Sequence, residues 1–339
     1  MNRWPRRALF LALLALPGLT CLLGLSGASA QQFQAPQPMG PMLPPPSGGV
    51  VVGGGRLFTL RGNELFEWDP QTLKLLRTRR VPGGGPGGGI WSHRVLRATS
   101  ADGVHWKRDP GVLIEHASVP DAVQLPDGTV RIYYCSAFDE ENVTTALVSG
   151  SRIREVQPTN LHGVDPCALV TGTGITTWVK EGLESSRVVR FESRDGIRFS
   201  QRTVVWDDPR YPMATDPDVI RTPQGWQMYL SMGRQLLRCD SVDGKRFTSR
   251  EVLNLGGSVC DTISVDGGYR MFFHGQPASG GPLCLWSARS KDGKNWRTDT
   301  EPVLAPSLNG PDFRGIGDAA PVRLKDGSYV LFCKSFSPE

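Results

Sequence analysis

Little in this sequence points to a charged partner. Its 339 residues carry 38 Lys and Arg against 33 Asp and Glu, a formal net charge of +5. Arg3, Arg6 and Arg7 crowd the start of the chain, and without these three the balance is about +2. That is not the footprint of a nucleic-acid or anionic-membrane binder. Arg77, Arg79 and Arg80 form a tight basic cluster, best read as a solvated strand end. No Cys-x-x-Cys pair occurs, so zinc-ribbon and thioredoxin-like readings have no support. The apolar run at residues 8–25 is broken by Pro17 and Gly18, which disfavours a lasting membrane helix.

That run reads instead as a secretory signal. The three arginines precede it, and Ala28-Ser29-Ala30 supplies an A-x-A cleavage pattern. Export to the periplasm or medium is therefore expected, with residues 1–30 removed. Arg6-Arg7 lacks the flanks of a twin-arginine signal, and Thr20 before Cys21 suits lipoprotein processing poorly. Six cysteines remain: Cys135, Cys167, Cys239, Cys260, Cys284 and Cys333. An exported even set permits disulfides, and one or two bridges are expected, although most of these thiols sit in strands where they can pack as small apolar groups.

Residues 31–55 are rich in Pro, Gln and Gly and read as a flexible or polyproline tether. Residues 56–82 alternate as two strands around Gly62-Asn63, with a third strand through 75–81. This segment resembles one unit of the quinoprotein-type repeat, in which a strand pair precedes Asp-x-x-Thr-Leu, here Asp69 to Leu73. The glycine run 83–89 then reads as a hinge before a domain at 90–339.

What the sequence has in plenty is repetition. Ser290-Lys291-Asp292-Gly293-Lys294-Asn295-Trp296 has counterparts beginning at Ser100, Ser193 and Ser241, spaced by 93, 48 and 49 residues. Because 93 is close to twice 48, a degenerate copy is expected near residue 148, where 145–154 keeps an apolar strand but has lost Asp-Gly. Asp-Gly suggests a type I′ turn, with the aromatic three residues past the Gly packing back over it. A second pattern interlocks with the first. Short strands beginning at Asp121, Asp165, Asp216, Asp261 and Asp318 each lead through a Gly turn into an aromatic, β-rich strand. Five inner pairs and five outer pairs result. The chain starts on an outer pair (91–113) and stops on an inner one (318–336). Left open, both would expose edges. Pairing the first outer strands with the last inner strands closes an all-β, five-bladed β-propeller.

The inner strands begin at one mouth of the central channel. Aligned on their apolar cores, Asp165, Asp216 and Asp318 share one register, and Asp121, Asp218 and Asp261 fall two residues later. Strand period two puts both sets on the same side. His116 and His162 each stand three residues before the first register. Crowded carboxylates repel, raising some pKa values and leaving others ionised, as acid and base roles in glycoside hydrolysis require. Taken singly, an Asp before Pro at a strand start serves as readily to accept backbone N–H bonds. The aspartates of the Asp-Gly turns lie on outer strands and read as structural.

Asp-Pro-x-hydrophobic inner strands, aromatic second strands and five copies of the Ser-x-Asp-Gly-x-x-aromatic element or its remnant resemble the arabinanase/levansucrase-type propellers of glycoside hydrolase families 43, 32, 62 and 68. The resemblance covers residues 90–336. It implies an Asp base or nucleophile, a second, orienting Asp and a Glu general acid on inner strands of successive blades. Asp165 and Asp216 match the Asp-Pro positions. Blade one departs, with Val119-Pro120 in that register and Asp121 two residues on. No inner strand begins with Glu, and Glu181 and Glu184 are the nearest substitutes. The resulting assignment gives Asp165, Asp216 and Asp121 as catalytic, with Asp218, Asp261, Asp318, His116 and His162 as ligand-binding. No resident metal or cofactor is implied, though a channel of this kind could take a divalent cation such as calcium. The Asp-Gly element is one residue shorter than the sialidase Asp-box, and five repeats without an arginine triad argue against that class. A phosphorolytic enzyme would need a phosphate supply that export denies it. The expected partner is a carbohydrate or glycan, with the chain acting as a monomer. The second reading is a non-catalytic propeller that binds glycan or protein at the same mouth.

Overall fold

A computed structural model describes residues 50–53, 56–61, 64–80, 89–172, 174–307 and 309–336. The expected signal, most of the tether and the glycine run apart from Gly89 lie outside the described residues. Among the described residues, no helix is long and apolar enough to cross a membrane.

Near the N-terminus β1 (Val50–Gly53), β2 (Arg56–Arg61), β3 (Glu64–Trp68) and β4 (Leu75–Arg80) form an antiparallel sheet in that order. The hairpin and the third strand are as expected; β1 is not, since it falls in the stretch read as tether. Its Val50-Val51-Val52 run is β-branched and pairs from Val50 with Thr59 to Gly53 with Arg56, so local β preference overrides the Pro and Gly on either side.

After a short 3-10 turn (Gly89–Ser92) come β5 (His93–Ser100), β6 (Lys107–Arg108) and β7 (Ile114–Glu115). Blade one is β8 (Ala117–Gln124), β9 (Val130–Ser136), β10 (Asp139–Ser149) and β11 (Arg152–His162). Blade two is β12 (Val164–Thr171), β13 (Gly174–Lys180), β14 (Val188–Ser193) and β15 (Ser200–Trp206). Blade three is β16 (Thr215–Thr222), β17 (Gly225–Met232), β18 (Gln235–Ser241) and β19 (Thr248–Leu253). Blade four is β20 (Ser258–Val265), β21 (Gly268–Gly275), β22 (Cys284–Ser290) and β23 (Arg297–Thr298). The last blade joins both ends of the domain. β24 (Ile316–Arg323) and β25 (Tyr329–Phe336) are continued by β5 and β6, with Tyr329 opposite Ser100 and Phe336 opposite His93. The propeller is five-bladed and closed as the strand count requires.

Burial explains the closure. Five apolar clusters each bridge neighbouring blades; Ile132 and Tyr134 of blade one, for example, meet Val330 and Phe332 of blade five. In one shared register of the second strands, opposite Asp121, Cys167, Asp218, Asp261 and Ala320, stand Tyr133, Trp178, Tyr229, Phe272 and Phe332, all fully buried. Deleting residues 91–113 should therefore strip β25 of its second partner and remove Leu96 and Ala98 from one buried cluster and Val95 from another. Aggregated protein in size-exclusion chromatography is the expected outcome; a soluble, cooperatively melting truncation would disprove ring closure.

The Asp-Gly elements are built differently from a type I′ turn. Only the glycines are left-handed, at φ 71° to 72°, while the aspartates are not. Their carboxylates instead accept following backbone N–H groups, as Asp292 does from Lys294 and Asn295 at 2.9 Å, while Ser290 Oγ accepts the Gly293 N–H at 2.9 Å. Each cap also serves as a socket for a neighbouring blade where that blade offers a donor. Tyr133 donates to the Gly196 carbonyl at 2.9 Å, Tyr229 to that of Gly293, and Arg270 to that of Gly103 at 3.1 Å. The aspartates are structural, and the repeat holds blade to blade.

The expected bridges are absent. All six cysteines are free, and all but the half-buried Cys135 are buried. They are spread over all five blades, on strands that turn them into apolar packing.

Candidate functional site: two rings of carboxylates in the channel

Every inner strand carries the same distortion near its start. Val119, Asp165, Asp216, Val259 and Asp318 are left-handed, with φ of 47°, 55°, 49°, 51° and 48°. At each, the register against the second strand slips. These are bulges, and they re-aim side chains at the expense of backbone strain. A β-branched valine in this region is a true outlier, costing on the order of 1–3 kcal/mol, and such strain clusters at functional sites.

The bulges bring all six aspartates of the expected ring into one channel. Asp165, Asp216 and Asp318 form the entrance layer, and Asp121, Asp218 and Asp261 the layer below. The space between them is narrow, about 30 Å³, which is room for water-sized groups.

Electrostatics divides the entrance layer. Burial would raise Asp318, but Lys334, whose Nζ pairs with Oδ2, and His274 outweigh it and hold the carboxyl well below the usual range. His274 Nδ1 lies 3.3 Å from both the Asp318 backbone N–H nitrogen and Oδ1. Burial would likewise lower Lys334, yet the charges of Asp318, Asp216 and Asp165 raise it. Asp216 goes the other way, pushed far above an ordinary carboxylate by burial and then by Asp165 and Asp318. Asp165 is raised by burial, against a hydrogen bond from Thr215 Oγ1. Below, burial pushes Asp121 and Asp218 up to about 7. Asp121 accepts the Ala168 N–H and shares a hydrogen bond with Asp261, which is itself raised strongly by burial. Asp218 accepts from Thr262 at 2.6 Å and from the Cys260 thiol at 3.5 Å.

Asp121 therefore sits one layer deeper than Asp165 and Asp216, and Asp318 takes the third place beside them. Neither histidine lines the channel. His116 turns its Nδ1 to the Trp91 carbonyl at 2.6 Å, and His162 is exposed at the end of β11. Glu181 is tied to Arg202 and Arg187, and Glu184 is exposed. Lys334 escaped sequence reading altogether, although a lone lysine in the apolar run Tyr329–Phe336 was its signal. Among the described residues, no group of three or more His, Cys, Asp or Glu is arranged to hold a metal ion.

A second concavity opens where the inner strands end. It measures about 720 Å³, has Asp121, Asp218 and Asp261 on its floor, and is walled by the second halves of the inner strands.

No protein-family profile matches this sequence, and no curated protein matches it. Solved structures do. The GH43 protein BlXynB of Bacillus licheniformis aligns at TM-score 0.50 and 12% identity, covering 64% of this chain and 48% of its own. The chain spans about half the length of BlXynB. The catalytic domain of the GH62 α-L-arabinofuranosidase of Coprinopsis cinerea aligns at TM-score 0.49 and 11% identity, over 72% of this chain and 98% of its own. The Bombyx mori GH32 β-fructofuranosidase BmSUC1 aligns at 0.47 and 16%, over 63% and 54%. At 12% identity the likeness to BlXynB is one of fold alone, a five-bladed propeller.

Proposed function

We propose that this chain is an exported, carbohydrate-acting propeller that hydrolyses glycosides at the entrance of its channel. One feature carries the reading: Asp216 and Asp318 share a register in one channel, and their surroundings push their carboxyls in opposite directions, Asp216 up through burial and the charges of Asp165 and Asp318, and Asp318 down through Lys334 and His274. Pairs of carboxyls whose environments push their pKa values apart mark acid and base roles. Asp216, keeping its proton, is the donor to a leaving oxygen. Asp318, kept ionised, supplies negative charge opposite an oxocarbenium-like centre or activates water. Asp165 raises Asp216 and orients the pair; Asp121 serves from the layer below. Export rests on the sequence of residues 1–30.

A second reading, glycan binding without turnover, is favoured by a distinct observation. The entrance is about 30 Å³ and no inner strand supplies a longer Glu arm. Turnover of arabino-, xylo- and fructo-oligosaccharides by the wild-type chain separates the two. Hydrolysis of at least one is expected; saturable binding of a sugar with no turnover would replace the first reading with the second.

A further inference from the structure

The wide funnel at the far end of the channel shares only Asp121, on its floor, with the reaction proposed above. Its volume of about 720 Å³ falls within the range of small-ligand sites, roughly 300–1,000 Å³. Its walls combine apolar strand residues such as Val123, Val170 and Ile263 with the hydroxyls of Thr171 and Ser264. At the rim stand Trp226 and Arg221. Trp226 is backed by Trp178, with ring centroids 5.8 Å apart, and by Gly244, where a Cβ would come within 3.0 Å of the indole. That support fixes the ring while leaving part of it on the cavity.

Charge at this rim is unevenly balanced. Arg190 pairs with Glu192 at 2.6 Å, and Arg323 with Asp266 at 3.0 Å. Arg221 has no carboxylate partner among the described residues; its guanidinium stands over the Trp226 ring, 5.8 Å from the ring centre. It is exposed, and its carbonyl is held by the Tyr269 hydroxyl at 3.3 Å. The floor carboxyls lie together, and burial favours their protonated, donating form. A fixed indole beside an unpaired guanidinium, above hydroxyls and acid O–H groups, matches a ring with an apolar face, several hydroxyls and one carboxylate.

We propose that this funnel is a second ligand site, on the face opposite the proposed catalytic entrance, and that it takes an acidic saccharide of the uronate type. The sugar's CH face lies on Trp226 and its carboxylate meets Arg221. The site is independent of turnover at the entrance.

Calorimetric titration of the full chain with a glucuronate-containing oligosaccharide, its methyl ester and a neutral oligosaccharide of equal length tests this. The acid should bind saturably and the ester and neutral sugar at least about tenfold more weakly, the scale of a charge-assisted hydrogen-bonded pair. Arg221→Ala should remove that preference, and Val170→Trp, which fills the funnel from an exposed wall position, should abolish binding. Asp216→Asn should leave acid binding unchanged. No saturable binding of the acid at millimolar concentration, equal binding of acid and ester, or insensitivity to both funnel variants would overturn the proposal. Loss of acid binding in the Asp216 variant would also overturn it, by moving the ligand to the entrance.

Discussion

Asp216→Asn should lower turnover by orders of magnitude while making the protein more resistant to heat at neutral pH. The activity loss follows from removing the proton donor while keeping side-chain shape. The stability gain follows from linkage. Asp216 is raised in the folded state, so above the unfolded carboxylate range near 4 the unfolded chain releases a proton that the folded one keeps. Stability from such a group is present below the unfolded pKa and lost as pH rises toward the folded one. Asp121 and Asp218, raised to about 7, act in the same direction between roughly pH 4 and 7. Wild-type melting temperature should therefore fall from pH 5 to 7.5, and the Asn variant should fall less steeply. Asp318, depressed by Lys334 and His274, adds the opposite limb: its stabilisation is present above the unfolded range and lost as pH falls below it. Melting curves and progress curves on the same preparations check both effects. Retained turnover with an unchanged pH slope would mean that Asp216 is neither acid nor strained by its neighbours.

Lys334→Met should cost about 3–5 kcal/mol, the scale seen when one member of a buried ion pair is removed. Both partners are deeply placed, at 12% and 2% side-chain exposure. Left alone, Asp318 would be an uncompensated buried charge beside Asp216 and Asp165. The double variant Lys334→Met with Asp318→Asn should recover most of the loss, because paired apolar and neutral replacements leave no bare charge. Denaturant titration distinguishes the outcomes. A single variant within about 1 kcal/mol of wild type, on the scale of an exposed pair, would show that Lys334 is not the counter-charge.

The ring itself was legible because it is written as repetition. Spacings of 48 and 49 residues and an outer pair with no inner partner at the chain start required β5 and β25 to meet, and they do, from Tyr329–Ser100 to Phe336–His93. The alignment of the inner strands was equally readable from Asp165, Asp216 and Asp318. What the sequence did not disclose is geometry that no period encodes. The bulges at Val119 and Val259 put valine in a conformation it avoids, so propensity gives no warning of them. The layering that drops Asp121 below Asp165 follows from its offset of two residues along the strand, while the bulges, common to all five inner strands, aim both layers into the channel. Lys334 was hidden because its role depends on Asp318, which sits in the bulge just past Gly317, the register partner of Lys334, and pairs with it only after folding. The cysteines misled for a related reason: an even count permits bridges, but strand packing decides, and all six are free.

Carboxyl carbon NMR observes directly whether protonation is split between two aspartates of one ring. With ¹³C-labelled aspartate, and Asp216→Asn and Asp318→Asn used to assign the signals, each carboxyl can be followed across the pH range in the folded wild-type protein. The Asp318 resonance should stay in its ionised position below the ordinary aspartate range, while that of Asp216 should change only well above it. Both signals titrating together near pH 4 would contradict the account.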